Sequence, residues 1–147
     1  FKYRLYDKAH FCFAESLHTF KLHKKSYSCE MALCLLSCGK NYLTNMEKQS
    51  ARKCFNQALK LFGGIKGFMP YKGITHQYLA HLYRKDRDSL TSFEHLNEAI
   101  SLFEEAIHEQ NTTNGFNQRT SVLINDYFSE DLNLHLLECY TSLFHML

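Results

Sequence analysis

Six cysteines and nine histidines are the side chains of widest chemical range in this chain of 147 residues. A structural zinc site takes thiolates or imidazoles in pairs roughly two to four residues apart, with a second pair at a distance. Cys29, Cys34 and Cys38 come nearest to that spacing, and no second pair accompanies them. Cys34 and Cys38 stand one helical turn apart in an apolar segment, as small buried hydrophobes do. A thiol nucleophile would need an electropositive, partly exposed setting beside a histidine, and the sequence offers none. Gly63, Gly64 and Gly67 superficially suggest a phosphate loop, but no strand pattern precedes them and no Lys-Ser or Lys-Thr follows. Gly-x-Ser-x-Gly, His-Glu-x-x-His and the dinucleotide fingerprint are missing as well. No residue is therefore assigned to catalysis, a cofactor or a metal, and the chain is read as a non-enzyme.

Charge narrows the choice further. Charged residues make up 22% of the chain and hydrophobic ones 45%, with a net charge of +2. That balance suits a folded domain and gives no field that by itself implies nucleic acid. A basic cluster of Lys21, Lys24 and Lys25 with His18 and His23 fits the carbonyl end of a helix, whose dipole favours positive charge. The same cluster leaves open a nucleic-acid-facing or phospholipid-facing patch. Asn111-Thr112-Thr113 is a formal glycosylation sequon, a triplet common by chance. The opening Phe1-Lys2-Tyr3 carries no initiator methionine or signal peptide, and no apolar run reaches 18 residues. The expectation is an internal excerpt of a longer intracellular protein, cytoplasmic or nuclear, with no membrane span and with reduced thiols.

One proline and no tryptophan fit long helices better than a turn-rich sheet. Three segments align without gaps: residues 9–17, 51–59 and 99–107. Each begins with alanine (Ala9, Ala51, Ala99), has phenylalanine four on (Phe13, Phe55, Phe103), and a small residue seven on (Ser16, Ala58, Ala106). Those offsets fall on one stripe of an α-helix, where small residues let a neighbouring helix approach and phenylalanine fills the space beside it. A companion pattern precedes two of them: Leu35, Cys38, Gly39 and Tyr42, then His76, Leu79, Ala80 and Tyr83. Gly39 and Ala80 would mark close helix crossings, with a tyrosine three further on to cover each. A helix pair that buries one face internally and the other on the next pair is the unit of a solenoid.

On these residues the chain resembles the tetratricopeptide repeat (TPR) family, whose first helix carries Leu-Gly and Tyr and whose second carries Ala, Phe and Ala. Leu35, Cys38-Gly39, Tyr42, Ala51, Phe55 and Ala58 keep every spacing of that pattern. Leu79-Ala80, Tyr83, Ala99, Phe103 and Ala106 keep it with seven additional residues between Tyr83 and Ala99. The family's proline after the second helix is absent from all copies, and the periods of 42 and 48 residues exceed the standard length of about 34. The resemblance implies an all-α, TPR-like α-solenoid of stacked antiparallel hairpins. Residues 1–26 would hold the second helix of one repeat, 27–62 a full repeat, 71–110 a repeat with an insertion, and 120–147 the start of a further helical unit. Residues 63–70 read as a turn-rich loop, and residues 111–115 as the break that ends the third copy.

The resemblance also implies a function: a scaffold whose first helices grip a peptide or helix of another protein, within a multi-subunit assembly. By the family's pattern the groove would be lined by Leu33, Leu36, Lys40, Leu43 and Thr44 in one repeat, and by Ile74, Gln77, His81, Arg84 and Lys85 in the next. Such a mixed surface suits an amphipathic or acidic segment, its acids meeting Lys40, Arg84 and Lys85 and its apolar face meeting Leu36 and Leu43. The competing expectation has Leu33, Leu36 and Ile74 packing against further helices. Relatives that clamp chaperone tails carry lysine and asparagine where this chain has Leu36 and Lys40, so that specificity is not implied. A nucleic-acid-associated repeat, or a non-catalytic regulatory segment of a larger protein, is the alternative. No small-molecule substrate is expected.

Overall fold

A computed structural model describes the backbone of residues 2–22, 28–64, 67–112 and 132–147, and their side chains apart from 2–6, 19–22, 111 and 112. Every regular element among them is helical: α1 (Lys2–Leu22), α2 (Ser28–Thr44), α3 (Lys48–Gly63), α4 (Met69–Lys85), α5 (Ser89–Thr112) and α6 (Leu132–Met146). The described residues form an all-α fold built by helix–helix packing. Two compact units divide it, one of residues 1–68 and one of residues 69–147.

In the first unit α2 and α3 form a hairpin and α1 packs on α2. Ala51, Cys54, Phe55, Ala58 and Phe62 are the buried residues of α3, spaced three and four apart on one stripe. Opposite them, α2 buries Met31, Ala32, Leu35, Leu36, Cys38 and Gly39. The hairpin is tightest at Gly39, where a Cβ would stand 2.5 to 2.9 Å from the ring atoms of Phe55. Only a residue without a side chain admits the phenylalanine, which is fully buried. Burial of such a ring stabilises by about 2–3 kcal/mol. Towards α1, the Tyr42 hydroxyl meets His10 Nε2 at 3.5 Å and the Cys34 thiol points to the Phe13 carbonyl at 3.8 Å.

In the second unit α4 and α5 form the hairpin and α6 packs on α5. Pro70 sits in the first turn of α4, where its missing N–H costs nothing. The close crossing here is at Gly73, where a Cβ would meet the Phe103 ring at 2.8 Å. On its other side Phe103 stacks against His135 of α6, ring centroids 5.6 Å apart. Ser92 is buried and donates its hydroxyl to the Ala80 carbonyl at 2.7 Å, tying α5 to α4.

The two hairpins repeat one another at an offset of 41 residues. α2 and α4 have the same length of 17 residues, and Lys48 and Ser89 open the second helices after turns of three residues. Each turn carries a non-glycine residue in the left-handed region, Met46 at φ 65° and Arg87 at φ 62°. The N–H groups of Met46 and Glu47 donate to the Leu43 and Tyr42 carbonyls at 3.1 and 2.9 Å; those of Arg87 and Asp88 donate to Arg84 and Tyr83 at 3.1 and 2.9 Å. This is the Schellman arrangement that satisfies the last carbonyls of a helix.

That register differs from the alignment of Ala99 with Ala51. The seven residues additional in that alignment between Tyr83 and Ala99 lie in the first turns of α5, which begins at Ser89. Ser92 takes the place of Ala51, Leu96 that of Phe55, Ala99 that of Ala58 and Phe103 that of Phe62. The physical reason is that a shift of seven residues rotates a helical stripe by only about 20°. Helix α4 also begins at Met69, inside the stretch read as loop, and α5 continues through Asn111 and Thr112. Lys24, Lys25, His23 and Thr113 lie outside the described residues, so the basic cluster and the sequon are not described as units.

Candidate partner-binding surfaces

The groove expected from the sequence divides between the two units, five positions in each, and both sets occupy equivalent places on α2 and α4. In the first unit, Leu36 is 4% exposed and belongs to the core, so it cannot line a groove. Leu33 and Leu43 are half-buried, while Lys40 and Thr44 are exposed. The Thr44 hydroxyl donates to the Lys40 carbonyl at 3.0 Å, a bond within the last turn of α2. In the second unit, Ile74 is 6% exposed and is likewise a core residue. Gln77 donates its amide to Glu138 of α6 at 3.2 Å and is occupied there. His81, Arg84 and Lys85 are exposed on the last turns of α4. Removing the core residues leaves two equivalent patches: Lys40, Leu43 and Thr44, and His81, Arg84 and Lys85. Each sits where a helix ends. The carbonyls of α4 face two cations there, a pairing the helix dipole favours.

Three thiols are held protonated by their settings, whereas the hydrogen bond from Cys38 lowers Cys54 against the opposing effect of burial. Burial pushes Cys34 up to about 11, with the neighbouring Cys38 adding to the effect. Cys38 is raised as well, by its hydrogen bond to Cys54 and by burial. Burial and Glu138 hold Cys139 up at about 12. Such groups stay protonated near neutral pH and are poor nucleophiles and poor metal ligands. Cys12, the counterpart of buried Cys54 on α1, is instead exposed. All six cysteines are free.

A polar layer inside the second hairpin escapes the sequence reading. His76 of α4 and His95 of α5 approach with their Nδ1 atoms 2.9 Å apart, and His95 stacks on Tyr83 at 5.4 Å. One hydrogen serves that contact, so one ring donates and the other accepts. Burial, and then His95, lower His76 to about 4; burial lowers His95 too, against the opposing pull of Glu94 and Glu98. In the first unit the same two places hold Leu35 and Cys54, an apolar layer. His76 stood out only as a stripe residue, and His95 gave no signal at all. A histidine on an apolar stripe carries no mark of its neighbour nineteen residues away. Among the described residues no three His, Cys, Asp or Glu side chains cluster so as to hold a metal ion. Among them, too, no helix is long and apolar enough to cross a membrane.

A third surface lies on α6. Leu134, Leu137, Tyr140 and Phe144 are exposed there, Leu137 by 61% and Phe144 by 75%. They share one side of α6 with exposed Asn133 and Thr141. The opposite face, with Leu132, His135 and Cys139, packs inward, and the Tyr140 hydroxyl donates to Glu104 of α5. Compared with protein-family models, curated proteins and solved structures, the chain matches none.

Proposed function

We propose that this chain is a scaffold segment of the TPR-like solenoid type, which binds another protein through the ends of its first helices. The observation that carries the reading is the repetition of the hairpin. The length of the first helix, the turn hydrogen bonds and the left-handed turn residue recur at one offset in both units, and each hairpin has a close glycine–phenylalanine crossing, two helical turns apart in register. A chain built from repeated hairpins presents equivalent surface positions at fixed intervals, which is how solenoids make extended binding faces. Packing of α1 on α2, and of α6 on α5, supports the stacking of a second helix on the next first helix. The equivalent triads, Lys40-Leu43-Thr44 with Leu43 half-buried and His81-Arg84-Lys85 fully on the surface, combine cations, donors and an apolar contact. The complementary ligand is an acidic or amphipathic segment of a partner protein.

The test is affinity capture from cell extract with wild-type protein and with an Arg84→Glu/Lys85→Glu variant, quantified by mass spectrometry. Both side chains are exposed, so the fold tolerates the exchange. Loss of a defined set of acidic partners, at least tenfold in intensity and at constant helical content, is the expected result. Identical capture by both proteins refutes the proposed face.

A further inference from the structure

The tightest layer of the first hairpin carries two thiols. Cys38 precedes Gly39 on α2 and Cys54 precedes Phe55 on α3, so both stand at the level of the close crossing. Both are buried, Cys38 at 3% exposure and Cys54 at 8%. A hydrogen bond joins them; it raises Cys38 and lowers Cys54, so Cys38 is the donor and Cys54 the acceptor. Cys34, one turn back on α2, points its thiol to the Phe13 carbonyl of α1 at 3.8 Å. The second hairpin has Leu79 and His95 at the two equivalent places, so the thiol pair is no requirement of the hairpin itself.

Two buried thiols can serve packing as small apolar groups. Packing does not require their polarity. The thiol that touches Cys54 holds it down, against burial and the nearby Cys34, whereas Cys34, Cys38 and Cys139 are all raised. A thiol with added thiolate character beside one that keeps its proton suits a dithiol that oxidises in two steps. An S–S bond spans Cα atoms about 4.4–6.8 Å apart. Gly39 brings the backbones together at this level, because the Phe55 ring occupies the room a side chain there would need.

We propose that Cys38 and Cys54 form a redox site that hydrogen peroxide closes to a disulfide, tying α2 to α3 at their crossing. Cys54 is the more exposed of the two and reacts first. Its thiolate, having released its proton to water, attacks one peroxide oxygen. An S–O bond forms, the O–O bond breaks, and the leaving hydroxide takes up a proton to become water. The Cys38 sulfur then attacks the sulfur of the Cys54 sulfenic acid. An S–S bond forms, the S–O bond breaks, and the hydroxide leaves with the Cys38 proton as a second water. The two sulfurs lose two electrons and the peroxide gains them. The site rests on the packing of the first hairpin and is independent of the partner-binding face.

Peroxide treatment of the folded, pre-reduced chain at pH 7.5 tests it, with remaining thiols blocked in denaturant and peptides read by mass spectrometry. Trypsin cuts between the two cysteines, at Lys40, Lys48, Arg52 and Lys53. The expected product is therefore a joined pair of peptides, Cys38 to Cys54, that dithiothreitol splits. It should form at least tenfold faster than any other intramolecular link, and at least tenfold faster than in urea. Cys38→Ala should stop at the sulfenic acid, which dimedone labels at Cys54, while Cys34→Ala should leave the link intact. Cys54→Ala should show neither a link nor a label at Cys38. Circular dichroism checks that each variant keeps its helical content, and the wild-type result stands without them. A link that forms no faster than in urea, a link from Cys34 to Cys54 in its place, or a dimedone label on Cys38 in Cys54→Ala overturns the proposal.

Discussion

Gly39→Ala tests the packing argument at its tightest point. Taken alone, alanine in a helix interior is worth about 1 kcal/mol over glycine, so propensity predicts stabilisation. The added methyl, however, would lie 2.5 to 2.9 Å from three ring atoms of Phe55. That ring is fully buried and has no free space to enter, so overpacking costs about 1–3 kcal/mol. The clash wins, and a net loss of about 1 kcal/mol is expected. Phe55→Leu alone leaves a void and costs about 1 kcal/mol or more. Together the two changes copy the layer of the second hairpin, Ala80 with Leu96, where both residues are buried. The double variant should therefore be more stable than the sum of the singles by about 1 kcal/mol or more, a coupling a double-mutant cycle isolates. Urea denaturation followed by circular dichroism reads it, with free energies compared at one denaturant concentration. Additivity within about 0.5 kcal/mol, or a Gly39→Ala protein more stable than wild type, refutes the reasoning.

The His76–His95 layer makes stability fall with acid. His76 has a folded value near 4, below its unfolded 6.5, so the unfolded chain binds more protons between those values and stability drops as pH falls through that window. By pH 5 the loss is at most about 2 kcal/mol, reduced by the part of the ring that solvent screens. His76→Leu, which installs the residue of the first hairpin, should flatten the profile in thermal melts from pH 7 to 4; an unchanged slope contradicts the assignment. Met46→Gly and Arg87→Gly each remove a side chain from a left-handed turn position and should stabilise by about 0.5–1 kcal/mol in the same denaturation assay. Destabilisation by either would place the turn in another conformation. Native-state alkylation at pH 7.5, read by peptide mass spectrometry, should label exposed Cys12 at least tenfold faster than buried Cys38, Cys54 and Cys139; uniform labelling would contradict the burial pattern.

How far the residues could be read in advance depended on how specific each pattern was. The all-helical fold followed from periodicity, and the crossing of Gly39 with Phe55 from a glycine and a phenylalanine on facing stripes. The second hairpin was harder, because Ser92 and Leu96 replace the alanine and phenylalanine that mark such a helix. A heptad later, Ala99, Phe103 and Ala106 imitate the mark on nearly the same face. One local signal pointed to the true start of α5: Asp88 caps it, accepting from the Thr91 N–H at 3.2 Å and the Thr91 hydroxyl at 2.7 Å. The groove positions suffered from a different limit. Leu36 and Ile74 sit at places that face a ligand in shorter repeats, but spacing along one helix does not tell whether another element covers that face. The charged positions, Lys40, Arg84 and Lys85, were legible as surface because their ionised ends must stay in water.

Nuclear Overhauser contacts of Phe103 test the central claim, that both hairpins share one register. The account predicts contacts from the Phe103 ring to Gly73 and to His135, with Ser92 close to Ala80. Contacts from Phe103 to Ala80 in their place would shift the second hairpin by two helical turns, restore an insertion before Ala99, and contradict the repeat on which the proposed function stands.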